Sequence, residues 1–388
     1  MCITFLERWS PRCSGANDMD FSLEETLPVD PRKVGRIASP VTKAWDIAYL
    51  RFAKPDLNEQ AAFFKDFGFI IAEQTDERLY VRGSGPSPYF IVVEKAPKAA
   101  YLGLGVEMKS RKDLEALAAN DKVTIDTVDG PGGGERVRLT DPNGFTVDAL
   151  FNRTLQTEQP MRKARAHNTP EEKVRINQGQ RAPLTPPDIA RLGHVAVLTP
   201  DFETSMEWYK TRLGLISTDV LCLDDGTPAL AFNRFDRGEH PADHHSIVLG
   251  TYPVKGYEHS AFEVHDLDAV GLGQQVLKQK GHKHEWGIGR HILGSQVFDY
   301  WSDQDGFKFE HYADGDVYTA DYETGYHPLS TQGLYQWGQD FPPTFTKPHI
   351  SFSFILETIH NLRTIPSFTF KKVKLMIAMT GRKARPWL

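Results

Sequence analysis

Two histidines and one glutamate in the C-terminal half are spaced as a metal-ligand set. His194 opens the apolar run HVAVL, His259 opens HSAFEV, and Glu310 closes GFKFE. Intervals of 65 and 51 residues separate them, each about one small structural module. The surroundings of the two histidines repeat each other. HVAVLTPDFETSMEWY and HSAFEVHDLDAVGLGQQVL both run from His through an apolar strand and an acidic helix start into a helix. Equivalent strands of two related modules curl toward one another, so ligands carried on them would meet in one cleft. Two imidazoles and one carboxylate on one face suit Fe(II) and leave coordination positions open for a chelating substrate and dioxygen. Mn(II) accepts the same N and O donors. A single strand histidine is more often an ordinary core or surface residue. The case rests on all three groups falling at symmetry-related positions.

The elements that must position these residues also repeat between the two halves of the chain. DIAYLRFAKPDLNEQAAFFKDFGFI from Asp46 parallels RLGHVAVLTPDFETSMEWYKTRLGLI from Arg191. In each, an apolar strand meets Pro-Asp, then a helix, a Gly and a second apolar strand. Pro55-Asp56 and Pro200-Asp201 lie 145 residues apart, and each Asp is placed to cap its helix. Phe202, Met206, Tyr209 and Leu213 fall on one helical face, as do Leu57, Ala61 and Phe64. Later, DPNGFTVD (Asp141 to Asp148) parallels DQDGFKFE (Asp303 to Glu310), each a tight turn feeding a strand. The pattern predicts an α+β protein of four βαβββ modules in two tandem domains with curved antiparallel sheets. In the first half Tyr49, Gly103 and Asp148 stand where His194, His259 and Glu310 stand in the second, so that half is expected to be metal-free. It is left structural, or part of a contact in a homo-oligomer.

Composition narrows the alternatives. The 388 residues carry 45 Lys and Arg against 51 Asp and Glu, which gives no basic excess to grip nucleic acid. No run reaches the roughly 18 apolar residues of a membrane span. Cys2, Cys13 and Cys222 are too few for a disulfide framework and lack zinc-site spacing. The N-terminus lacks a clear secretory signal, so a cytoplasmic protein is expected. We divide the chain into an N-terminal extension (1–43), a first domain (44–153), a polar linker (154–188), a second domain (189–325) and a C-terminal segment (326–388). From Lys347 the tail is basic and apolar. It reads either as a terminal strand and helix or as sequence foreign to the fold.

The second half resembles the type I extradiol ring-cleavage dioxygenases of the vicinal oxygen chelate (glyoxalase/bleomycin-resistance) superfamily, among them catechol 2,3-dioxygenases and dihydroxybiphenyl dioxygenases. The resemblance rests on Gly193-His194, His244-His245-Ser246-Ile247, His259-Ser260-Ala261-Phe262, and the run GRHILGSQVFDYWSDQDGFKFE from Gly289 to Glu310. It implies that His194, His259 and Glu310 hold Fe(2+), with Mn(2+) as the alternative. It also implies that His245 is the acid–base residue, that Tyr300 hydrogen-bonds the ionised substrate oxygen, and that His291 donates to the other oxygen or to the bound dioxygen. His244 either orients His245 or is an ordinary strand residue. The implied reaction inserts both atoms of O2 into a catechol-type ring beside the diol. A glyoxalase-like isomerase or hydrolase, or a ligand-binding member of the superfamily, is the alternative. Ile292-Leu293-Gly294-Ser295-Gln296 suggests a more apolar pocket wall than relatives carry. Trp286, Phe298, Trp301 and Trp337 are candidates either for an aromatic pocket or for core.

Overall fold

The computed structural model describes residues 35–163, 166–345 and 350–379. The first half runs β1 (Asp46–Lys54), α1 (Leu57–Phe67), β2 (Ile70–Gln74), β3 (Arg78–Arg82), β4 (Ile91–Lys95), then β5 (Ala100–Glu107), α2 (Arg111–Asp121), β6 (Ile125–Thr127), β7 (Glu135–Thr140) and β8 (Thr146–Phe151). The second half repeats this order with β9 (Ile189–Thr199), α3 (Phe202–Leu213), β10 (Ile216–Cys222), β11 (Pro228–Arg234), a two-residue β12 (Ala242–Asp243) and β13 (Ile247–Thr251). It continues through β14 (Gly256–Val264), α4 (Leu267–Gln279), β15 (Lys283–His291), β16 (Val297–Ser302) and β17 (Lys308–Ala313). Four βαβββ modules are therefore present, as the repeats predict.

The Pro-Asp steps act as expected. Asp56 accepts from the backbone N–H of Asn58 and Glu59, and Asp201 from that of Thr204. Leu57, Ala61, Phe64, Phe202, Met206, Tyr209 and Leu213 are all buried. Each half forms one large curved sheet. The first has the order β2-β3-β4-β1-β5-β8-β7-β6, and the second contains the matching order β10-β11-β13-β9-β14-β17-β16-β15. The sheets are mixed rather than wholly antiparallel. β1 pairs parallel with β4, β5 with β8, β9 with β13, and β14 with β17. The cause is topological. Each helix carries the chain back before the second strand begins, and two hairpins then leave the fourth strand running with the first.

β18 (Val317–Tyr318), β19 (Gly325–Pro328) and β20 (Tyr335–Gly338) follow, and β19 and β20 add to the two edges of the second sheet. Beyond them the described tail is two helices, α5 (Phe352–Thr364) and α6 (Phe370–Met379). The strand expected in this tail is not found among its described residues. Phe352, Ile355, Leu356 and Ile359 recur at helical spacing instead. Cys222 is buried in β10, while Cys2 and Cys13 lie outside the described residues. No helix among the described residues is long and apolar enough to cross a membrane.

The halves share one core and interlock at their turns. Phe52 meets Tyr257 and Phe307 at ring-centroid distances of 5.2 and 5.6 Å, and Phe69 meets Phe262 at 4.6 Å. The Asp303–Gly306 turn reaches into the first half, where Lys54 Nζ donates to Asp303 Oδ2 at 2.6 Å and Gln304 donates to Gln60 Oε1 at 3.0 Å. The matching Asp141–Gly144 turn reaches the other way. Thr199 donates to Asn143 Oδ1 at 2.7 Å, Asn143 to Ser205 Oγ at 3.1 Å, and Tyr209 to Asp141 Oδ2 at 3.1 Å. Thr199 and Ser205 stand 145 residues beyond Lys54 and Gln60, so the docking obeys the internal repeat.

Candidate metal centre

Four neighbouring strands, β9, β14, β17 and β16, build the site. Across β9 and β14, His194 stands opposite Ala261 and Ala196 opposite His259. Ala261 also pairs with Glu310, and Glu310 with Tyr300. Side chains alternate between the faces of a strand, so His194, His259, Glu310 and Tyr300 share one face. Ala261 is fully buried at the centre of this group, and its single methyl leaves room for the longer side chains to lean together. One ligand atom from each of His194, His259 and Glu310 lies within 4.8 Å of the other two. Gly193 is required by a close approach. A Cβ there would stand 2.2 Å from the Tyr312 hydroxyl.

Hydrogen bonds decide which nitrogen of His259 faces the cluster. Its Nδ1 donates to the Glu258 carboxylate, which also accepts from Lys308 Nζ. Adjacent strand residues ordinarily point to opposite faces. Here a β-bulge intervenes, because Tyr257 pairs with Val197 and His259 with Ala196, which leaves Glu258 without a ladder partner. The bulge re-aims Glu258 toward its neighbour's imidazole. A carboxylate behind a histidine fixes the ring and raises its basicity as a ligand.

His194 Nε2 lies 3.0 Å from His259 Nε2 and 3.3 Å from Glu310 Oε2, and His259 Nε2 lies 3.5 Å from the same oxygen. Glu310 is fully buried, yet neither of its oxygens has a hydrogen-bond partner among the described residues. Burial pushes its carboxyl up, but the imidazoles of His194, His291 and His259 outweigh burial and hold it well below the usual carboxylate range. Burial pushes His194 down, toward the neutral form. A buried anion facing two imidazole lone pairs is a donor set for a divalent cation. Its N, N, O composition suits Fe(II) or Mn(II), so the residues fit the metal that the sequence led us to expect.

The other predicted residues surround this cluster. His291 ends β15. Its Nδ1 donates to the Leu334 carbonyl at 2.8 Å, so its Nε2 accepts from the Tyr300 hydroxyl at 3.0 Å, and the same nitrogen lies 3.7 Å from Glu310 Oε1. Burial and the Glu310 charge push the Tyr300 hydroxyl well above its ordinary pKa, so it keeps its proton. His244 and His245 lie in the loop between β12 and β13, not in a strand. The His245 ring centroid is 4.1 Å from that of His194. Burial and the neighbouring imidazoles push His245 well below its ordinary pKa, which keeps it neutral. Of the four candidate pocket aromatics, Trp286 and Phe298 pack with Tyr300, Tyr335 and Phe345, Trp301 is buried in the main core, and Trp337 is half-exposed on β20. Glu258 and Lys308 were not foreseen from the sequence. The adjacency of Glu258 to His259 was a signal, but strand alternation argued against using it.

In the first half the equivalent positions hold a different arrangement. The registers of β1, β5 and β8 place Tyr49, Gly103 and Asp148 as the equivalents of His194, His259 and Glu310. Arg138 pairs with Asp148 as Tyr300 pairs with Glu310. Its guanidinium grips the Asp148 carboxylate through two hydrogen bonds of 2.7 Å, and the Tyr49 hydroxyl donates to the same carboxylate at 2.6 Å. A fixed side-chain cation thus neutralises the buried acid.

Paired βαβββ modules whose facing strands carry two histidines and a glutamate define a metal-chelating class of proteins. Residues 191–311 match the glyoxalase/bleomycin resistance protein/dioxygenase superfamily. The chain is 30% identical over 314 residues to the iron-dependent extradiol dioxygenase of Rhodococcus jostii (strain RHA1), covering 76% of this chain and 96% of the relative. It is 28% identical over 316 residues to metapyrocatechase 2 of Cupriavidus necator, covering 80% and 94%. Its fold matches the substrate complex of homoprotocatechuate 2,3-dioxygenase from Brevibacterium fuscum with a TM-score of 0.67 at 19% identity, over 80% of this chain and 94% of that one. The chain belongs to this superfamily and, within it, to the extradiol dioxygenases.

Proposed function

We propose that this chain cleaves a catechol-type ring beside its diol, with His194, His259 and Glu310 holding Fe(II) or, in its place, Mn(II). The observation that carries this reading is the convergence of those three side chains, with an unpartnered buried Glu310 carboxylate, beside His245, His291 and Tyr300. His194, His259 and Glu310 would hold Fe(II), which would supply Lewis acidity and redox chemistry toward a diol and O2. The protein supplies charge, orientation and proton control. Glu310 brings one negative charge, which leaves a dication undercompensated and favours an ionised diol. His245 is neutral, so it can take up a diol proton and return it later. Tyr300 keeps its hydroxyl proton but directs it at His291 Nε2, so donation to a substrate oxygen requires that hydrogen to rotate away from the histidine. The His259 and His291 side chains stay 13% and 15% exposed, which puts the way in along their edge.

An isomerase or hydrolase of the same superfamily would use the metal set but has no need of His245, His291 and Tyr300. Their placement beside the triad favours ring cleavage. The division into a metal-binding second domain and a supporting first domain, the homo-oligomer and the cytoplasmic location belong to the same proposal. To test it, protein loaded anaerobically with Fe(II) is mixed with 2,3-dihydroxybiphenyl or 3-methylcatechol and then exposed to air. Oxygen uptake and a yellow product are expected. No uptake across such a panel overturns the reading. His245→Phe should keep its iron but turn over more slowly, and equal turnover would remove the proton-handling role.

A further inference from the structure

Behind His245 a line of polar groups leads away from the metal-facing strands toward the surface. His245 Nδ1 lies 2.8 Å from His244 Nδ1. His244 Nε2 lies 2.6 Å from Asp219 Oδ2, and the other oxygen of Asp219, on β10, lies 2.7 Å from His327 Nε2 on the edge strand β19. His244 and His245 are 1% and 4% exposed, so water is excluded from the contact between them, while His327 at the far end is 41% exposed.

We propose that Asp219 and His244 are positioning residues that hold His245 in a single tautomer, with its Nδ1 protonated and its Nε2 lone pair free. This rests on the ring-cleavage reading for its purpose, though not for its geometry. An ionised carboxylate only accepts, so His244 Nε2 carries a hydrogen. A neutral imidazole has one N–H, so His244 Nδ1 is then a bare acceptor. The 2.8 Å contact needs one hydrogen between two nitrogens, and that hydrogen must belong to His245 Nδ1. His245 is left with its lone pair on Nε2, at the ring edge away from His244. A cationic His244 would reverse the order and put the hydrogen on His245 Nε2. The two orders place the hydrogen on opposite nitrogens of His245, so the tautomer of His245 is the quantity that decides between them. The same logic lets a buried Asp hold a catalytic histidine in one tautomer in serine proteases.

The surroundings lock the line in place. The His244 backbone N–H donates to the Asp316 carbonyl at 2.9 Å. Gly294, at φ +82°, lies against the His244 ring, and a Cβ there would sit 3.0 Å from His244 Nδ1. The run Ile292 to Gln296, read from the sequence as a pocket wall, thus also closes over the relay. Phe232 packs edge-on against His245 at 5.0 Å.

Nitrogen-15 NMR of histidine-labelled protein, loaded with diamagnetic Zn(II) in place of iron, reads the tautomer directly. The wild type is expected to show His245 protonated at Nδ1. Asp219→Asn is expected to lose that preference, because an amide can turn its NH2 toward His244 Nε2. In the Fe(II) enzyme, Asp219→Asn and His244→Phe should keep one iron per chain and bind catechol anaerobically within about threefold of wild type, while kcat falls at least tenfold. Asp219→Glu should recover part of kcat. Wild-type His245 protonated at Nε2, or an Asp219→Asn enzyme with unchanged tautomer and unchanged kcat, would overturn the proposal. If the wild type consumes no oxygen with any catechol, the functional reading fails, while the spectrum still decides the tautomer.

Discussion

The ion pair between Lys54 and Asp303 joins the two halves at a point from which water is excluded, with the two side chains 1% and 0% exposed and 2.6 Å apart. Asp305, 3.1 Å from the same ammonium, is 22% exposed. Replacing Lys54 with Met keeps most of the stem but strands a buried carboxylate. Breaking a buried pair from one side costs about 3–5 kcal/mol. Near the midpoint a chain of 388 residues has an unfolding entropy of roughly 0.8 kcal/mol per degree, so this loss lowers Tm by about 4–6 °C. The deficit must depend on pH. Burial already pushes the Asp303 carboxyl up, even with Lys54 lowering it. Without Lys54 the folded carboxyl holds its proton to a higher pH, while the unfolded one ionises near about 3.9. Above that value the folded variant binds more protons than the unfolded chain, so its stability falls as pH rises. Thermal unfolding followed by circular dichroism should therefore show a smaller deficit at pH 5 than at pH 7, and adding Asp303→Asn should recover at least half of it. A shift under about 1 °C, or a deficit that grows on acidification, would refute the reasoning.

Three further outcomes follow from the site. Glu310→Ala should abolish iron retention, measured as metal content after desalting, because it removes the site's only anionic ligand. Glu258→Ala should weaken iron binding by about 10–100-fold in a competition titration, since His259 loses the carboxylate that orients it. Arg138→Met should leave one iron per chain and lower stability by about 2–3 kcal/mol in urea unfolding. That is less than for a fully buried pair, because Arg138 is 34% exposed and Arg136 stands 3.8 Å from the same acid.

Much of this site was legible because the chain repeats itself. The Pro-Asp steps and the two Asp-x-x-Gly turns fix the module boundaries. Once His194 and His259 occupy matching strands, Glu310 follows from its turn. The mixed pairing of the sheets was not legible, because strand direction depends on where each helix returns the chain. Nor was the role of Glu258, because a single inserted residue in β14 undoes the alternation on which such readings depend. Asp219 and His327 lie far from His245 in sequence and meet it only through the β10–β19 pairing and the loop that carries His244. The choice of His245 over His244 came from the resemblance, and the pair lies in a loop where a strand was one of the readings of His244.

The guanidinium locked onto Asp148 has a consequence for how the molecule meets iron scarcity. A side-chain cation cannot be chelated, oxidised or diluted away. The N-terminal half thus keeps its charge balance whatever the supply of metal, and its turn and aromatic surface stay ready to brace the other half. Of the two equivalent positions in the repeat, the one built by His194, His259 and Glu310 is left to draw its balancing charge from outside the chain.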